Sequence, residues 1–178
     1  MHNGTRLQRS MAFSDRVESL GAPLGYFCEG EAFRADPAYR ALPDGQCALG
    51  CVALGACCEE ILCIHPYPGI RYPEIPARVR YILHDSFHSG TINTASEEAK
   101  RFFASAAARG IPVFLTGVSA GAQYESTAAF SALGITPLTG LAPIASYVKL
   151  WMLQARDPAA RVTAQQLMLP LGGDIVLS

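Results

Sequence analysis

Residues 81–97 read YILHDSFHSGTINTASE. Tyr81-Ile82-Leu83-His84 is a short apolar run that empties into a loop of hydroxyls, histidine and glycine. Thr94-Ala95-Ser96-Glu97 then opens a helix, because a hydroxyl followed three positions later by a carboxylate can satisfy two free amides reciprocally. Two similar units stand on either side, ILCIHPYPG at 61–69 and IPVFLTGVSAGAQYES at 111–126. Continuous apolar runs of this length are those of strands buried on both faces of a parallel sheet. They predict strands at 61–65, 79–84 and 113–116. Helices fill the intervals. The first runs from Thr94 to about Arg109, where Gly110 and Pro112 stop it. The second covers 123–133 and ends at Gly134. The third covers about 142–155, with Pro143 in its first turn. Its residues Ile144, Tyr147, Val148, Trp151 and Met152 recur at helical spacing and are expected to face the core. Thr163-Ala164-Gln165-Gln166 is a second capping box, opening a short last helix. The alternation implies an α/β fold: a small parallel sheet, flavodoxin- or Rossmann-like, in three layers with right-handed crossovers. The loops that follow the strands then share one edge, which is where open α/β sheets bind ligands.

Of the 178 residues, 50% are apolar and 16% charged, so the chain can bury a core and is no disordered segment. The length fits one domain with an arm. Residues 1–44 are rich in Arg, Asp, Glu, Gly and Pro and read as an arm or linker, irregular or a β-hairpin, with 5–13 and 23–33 as its two strands. Residues 45–178 read as the α/β domain. A net charge of −1 provides no basic stripe for nucleic acid. The N-terminal MHNGTRLQRSMAF has no apolar signal region, and no apolar run reaches the roughly 18 residues of a membrane span, so a cytoplasmic protein is expected. The cysteines, Cys28, Cys47, Cys51, Cys57, Cys58 and Cys63, lack the paired C-x2-C spacing of a zinc ribbon. Their apolar neighbours suit buried thiols, and no metal or cofactor is expected.

The loop at 84–91 offers His84, Asp85, Ser86, His88, Ser89 and Thr91. Ser86 or Ser89 with His88 could serve a hydrolase, although adjacency in sequence is not geometry. His84, ending a strand, reads as a hydrogen-bonded structural residue, and His88, in mid-loop, as a ligand candidate. Ser89-Gly90-Thr91 precedes a helix N-terminus, where free amides favour an anion such as a substrate carboxylate. In Pro66-Tyr67-Pro68-Gly69 two prolines stiffen the exit of the first strand. Glu125 opens the second helix, where the dipole alone favours a carboxylate. No Walker loop or G-x-G-x-x-G supports a nucleotide.

Taken in order, HNGTR at 2–6, S-x-x-A-P-L-G at 19–25, YPG at 67–69, SFHSGT at 86–91, RGIPVFLTG at 109–117, YESTAAFSALGITPL at 124–138 and VKLWML at 148–153 resemble the C-terminal half of bacterial-type L-asparaginases. The resemblance covers essentially the whole chain, and it rests on the order and spacing of the motifs. It implies a smaller C-terminal α/β domain of an enzyme that hydrolyses L-asparagine to L-aspartate and ammonia. The family's threonine nucleophile lies in a T-G-G-T-I-type loop of a larger N-terminal domain, with a T-D set and a lysine. This sequence has no T-G-G-T segment, and its only lysines are Lys100 and Lys149.

The resemblance therefore implies a domain without catalytic residues of its own, which completes a neighbouring subunit's substrate site and joins subunits into a homo-oligomer. Its expected partners are L-asparagine or a related amino acid and a missing N-terminal asparaginase domain, with neither nucleic acid nor membrane. Thr91 stands where asparagine is common in the family and His88 where glycine is common, so the substrate-binding set implied is Thr91, His88, Ser89, Asn93 and Glu125. Thr116, Gly117 and Ser119 match a possible allosteric position. The competing reading is a stand-alone amino-acid-binding or assembly module without catalysis.

Overall fold

A computed structural model of the chain describes residues 7–9, 17–19, 23, 25–26, 30–37, 58–87, 89–118, 125–171 and 174–175. In the N-terminal region β1 (Leu7–Arg9) pairs antiparallel with β2 (Val17–Ser19), and β3 (Gly25–Tyr26) with β4 (Arg34–Ala35). This region thus contains two antiparallel strand pairs, but β2 falls in the DRVESLGA stretch that the sequence leaves between two strands. β3 falls in the second predicted strand region, 23–33, which a turn at Gly30 interrupts, and β4 lies just beyond its end.

The main sheet has four parallel strands in the order β5 (Ile61–Ile64), β6 (Tyr81–Asp85), β7 (Val113–Val118) and β8 (Ile135–Thr139). The first three lie where the apolar runs predict them. β8 escapes a reading based on apolar runs because Thr136 and Pro137 interrupt it. As an edge strand it tolerates a proline, which lacks a ladder donor, while Ile135 and Leu138 still turn into the core.

Helices cover both faces. α1 (Glu97–Ala108) and α2 (Glu125–Ala132) pack on one, where Phe102, Phe103, Ala106 and Phe130 meet Ile64, Ile82, Val113 and Leu115. α3 (Pro143–Arg156) and α4 (Ala164–Leu167) cover the other, where Ala145, Leu150 and Leu167 meet Tyr81, Leu83, Phe114 and Leu138. This is the expected three-layer α/β class. The strand order is sequential and never reverses. Right-handed crossovers then put α1 and α2 on the same face, and only the excursion after β8 reaches the other.

Three local expectations need correction. α1 is capped by Ser96, whose hydroxyl accepts from the Ala99 amide, rather than by Thr94. The predicted inner face of α3 is rotated: Ile144 is 59% exposed and Val148 39%, Tyr147 and Trp151 still pack against the core from its border, and Ala145, Ser146, Lys149, Leu150 and Gln154 are the buried residues. Lys149 is tolerated inside because its ammonium donates to the Asp174 carboxylate at 2.7 Å and to the Leu169 carbonyl, so the buried charge is paired. Cys63, expected to be buried, is exposed on edge strand β5, and the side chains of the other five cysteines lie outside the described residues. The Thr163 capping box is present as predicted.

Candidate functional site

Parallel register brings the strand exits together. Ile64 lies beside His84, and Asp85 beside Thr116, so His65 just past β5, Asp85 at the end of β6 and Thr116 near the end of β7 lie side by side at the carboxyl edge. Their side chains meet. The His65 Nδ1 lies 2.6 Å from one Asp85 carboxylate oxygen, and the Thr116 hydroxyl donates to the other at 2.5 Å. A carboxylate only accepts, so His65 Nδ1 carries a hydrogen, and in the neutral ring Nε2 then keeps its lone pair. Thr116 is fully buried and His65 is 79% exposed, so the line runs from the core to solvent.

A second histidine braces the edge from within. His84, fully buried, donates from Nδ1 to the Asp85 carbonyl at 2.5 Å and accepts at Nε2 from the Tyr72 hydroxyl at 3.0 Å. Burial lowers its pKa and His65 adds to that, against the opposing pull of the Asp85 carbonyl and carboxylate. Tyr72 stacks on Phe102 with ring centres 4.6 Å apart, and its amide donates to Glu98. Its phenol is pushed up to about 12, by burial first and the Glu98 charge second. The structural role read for His84 from its place at a strand end is therefore the one it has.

The loop beyond Asp85 folds back on itself. The Phe87 amide donates to the Thr91 carbonyl and the Gly90 amide to the Phe87 carbonyl, with Gly90 at a positive φ that favours glycine. This turn sets the Ser89 and Thr91 hydroxyls 2.8 Å apart. Ser86 donates to the Gly117 carbonyl at 2.9 Å. Gly117 also has a positive φ, and a β-carbon there would come within 2.7 Å of the Ser86 hydroxyl oxygen. The glycine thus lets the two strand exits close, and the β7–β8 register shifts beside it.

Of the substrate-binding residues expected from the sequence, Ser89 and Thr91 are brought together. Asn93 accepts from the Ala95 and Ser96 amides, so its side chain serves the turn that leads into α1. His88, Ser119 and the side chain of Glu125 lie outside the described residues. Thr116 and Gly117 lie at the same edge, but the Thr116 hydroxyl is committed to Asp85. The Ser86 hydroxyl is committed to a carbonyl, an arrangement that does not present it to a base. Sequence reasoning overlooks His65 as Asp85's partner. The available signal is register: both residues stand at corresponding points beyond their apolar runs, and in parallel strands such positions become neighbours. The expectation that the sequence has no G-x-S-x-G elbow also needs correction, because Gly117-Val118-Ser119-Ala120-Gly121 has that spacing at the end of β7.

Among the described residues no group of three or more His, Cys, Asp and Glu side chains could hold a metal ion, and no helix is long and apolar enough to cross a membrane.

No family model and no curated protein matches the chain. Solved structures do. L-asparaginase I from Vibrio cholerae O1 biovar eltor matches with a TM-score of 0.69 at 21% identity, over 99% of this chain and 55% of that one. The thermostable L-asparaginase from Thermococcus kodakarensis matches with a TM-score of 0.61 at 16% identity, over 98% of this chain and 54% of that one. The chain therefore has the fold of L-asparaginases, and it spans about half the length of these solved structures.

Proposed function

We propose that this chain is the C-terminal-type α/β domain of an L-asparaginase: it completes a substrate site and associates subunits, while the attacking threonine comes from another domain. The observation that carries this reading is the likeness to L-asparaginase structures over 99% of the chain at about half of theirs. The ordered motifs add to it. In this reading the paired hydroxyls of Ser89 and Thr91, 2.8 Å apart at the carboxyl edge, hold the polar end of L-asparagine. His88 and Glu125 complete the proposed binding set, and Asn93 acts through the backbone by fixing the turn. Thr116, Gly117 and Ser119 form the neighbourhood for an effector amino acid. The protein works in the cytoplasm as a homo-oligomer, without a cofactor.

Ammonia release from asparagine by the pure 178-residue chain should stay at background, because no T-G-G-T loop supplies the nucleophile. Sustained hydrolysis by the chain alone sinks the proposal. Titration calorimetry with asparagine and aspartate tests the rim. A stand-alone amino-acid-binding module would bind them tightly without a partner, whereas half of a site binds them weakly. Beside an active large domain, Thr91→Val should raise KM for asparagine. A hydrogen bond to a charged substrate group is worth about 1.5–3 kcal/mol, and an unchanged kcat/KM would remove Thr91 from the site.

A further inference from the structure

The His65–Asp85–Thr116 line has a use that the asparaginase reading does not require. We propose that His65 is a catalytic general base for the hydrolysis of small uncharged carboxylic esters at the carboxyl edge of the sheet, with Asp85 and Thr116 as positioning residues.

A histidine base needs a lone pair facing its reactant, a fixed tautomer and a neighbour that stabilises the imidazolium. All three are present. Asp85 accepts from the Nδ1–H, with the nitrogen 2.6 Å from its oxygen, which in the neutral ring leaves Nε2 as the acceptor. The imidazole is largely open to water, so a reactant can reach Nε2. Asp85 is itself held in place: the buried Thr116 hydroxyl donates to its second oxygen at 2.5 Å, and His84 donates to its carbonyl. With one carboxylate oxygen held by Thr116 and the main chain held by His84, the other oxygen keeps the ring from swinging away. His84 cannot take this part, because it is buried with both nitrogens engaged.

In the reaction, Nε2 takes a proton from water as the water oxygen bonds to the ester carbonyl carbon. The carbon–oxygen bond to the alcohol then breaks, and the proton passes from Nε2 to the departing oxygen. Ester and water become acid and alcohol, and His65 returns to its starting state. The substrate is uncharged because Asp85 is the charged group built into the cluster, and it would repel an anion. Tyr67 is 57% exposed in the turn closed by the Ile70 amide, two residues beyond His65, and offers an aromatic surface to such a compound.

The test uses the full chain and p-nitrophenyl acetate, with an equal concentration of free imidazole as reference. The chain should exceed imidazole, with kcat/KM rising with pH through a single ionisation. His65→Gln should lower kcat/KM about a hundredfold, within the range general-base catalysis supplies. Asp85→Asn should lower it tenfold or more and Thr116→Val less, with circular dichroism unchanged. Nitrogen-15 NMR of the native chain should show His65 protonated at Nδ1, and Asp85→Asn should abolish that preference. A rate equal to that of imidazole, a rate indifferent to His65→Gln, or a native His65 protonated at Nε2 would overturn the proposal. These readouts are separate from asparagine hydrolysis, so either idea can fail alone.

Discussion

At the scale of single residues, the carboxyl edge is shaped by groups that gave up freedom to hold it. His84 is the clearest case. Burial lowers its pKa, so the folded chain keeps it neutral at a pH where the unfolded chain, titrating near the ordinary value of about 6.5, takes up a proton. The unfolded state then binds more protons, and stability must fall as pH drops below about 6.5 toward the depressed folded value. Above about 6.5 this contribution is complete. Melting curves between pH 7.5 and 5.5 should show the decline. His84→Phe should flatten it whatever it does to absolute stability, and an equal slope in the variant would remove His84 as the cause. Tyr72→Phe should keep the stack on Phe102 but leave the buried Nε2 without a donor, costing about 1–3 kcal/mol by urea denaturation. Gly117→Ala should cost a similar ~1–3 kcal/mol, because alanine must adopt a φ of +73° and meet the Ser86 hydroxyl at 2.7 Å. A melting temperature unchanged from wild type would show that the strand exits can part freely.

At the scale of elements, what the sequence discloses depends on how many pressures act on each segment. β6 and β7 are buried on both faces and so appear as unbroken apolar runs. Thr163-to-Gln166 is a local motif and forms as local chemistry dictates. α3 misleads because its apolar stripe, Ile144 to Met152, suggests an inward face, while only Tyr147 and Trp151 of it pack against the core and the fully buried face contains Lys149 and Gln154. Pairing reverses the usual rule: Lys149 reaches Asp174 near the end of the described chain, and Gln154 donates to Glu60 just before β5. Neither partner is visible to a reading of helical periodicity, because each lies 20 residues or more away in sequence. The same holds for His65 and Asp85, 20 positions apart, which only strand register unites. Paired hydroxyls within one loop, Ser89 and Thr91, needed no such knowledge. The reversal can be tested directly. Lys149→Ala strands a buried carboxylate and should destabilise the fold by about 3–5 kcal/mol, whereas Val148→Ser on the outer face should change stability by less than about 0.5 kcal/mol. The opposite order of effects would restore the orientation that periodicity suggests.

At the scale of the whole molecule, one sheet serves two cores. Ile82 and Leu115 face α1, while Leu83 and Phe114 on the same strands face α3 and α4. Side chains alternate along a strand, so neither apolar layer can be lost without exposing the backbone ladder that supports the other. The rim depends on both layers. His84 belongs to the α1 side through Tyr72, and its neighbour Asp85 on the same strand holds the His65–Thr116 line. Such a design predicts unfolding as one cooperative unit. Trp151 is the single tryptophan of the chain and packs against the α3–α4 layer, so its fluorescence reports that side alone, while far-ultraviolet circular dichroism is dominated by all the helices together. In urea the two signals should give coincident transitions with one midpoint. Leu83→Ala, which opens a cavity beneath α3, should cost about 2–5 kcal/mol and move both midpoints by the same amount. If fluorescence moved ahead of circular dichroism, the α3–α4 layer would be a separable cover over a three-stranded or four-stranded core, and the histidine-braced edge would survive its departure.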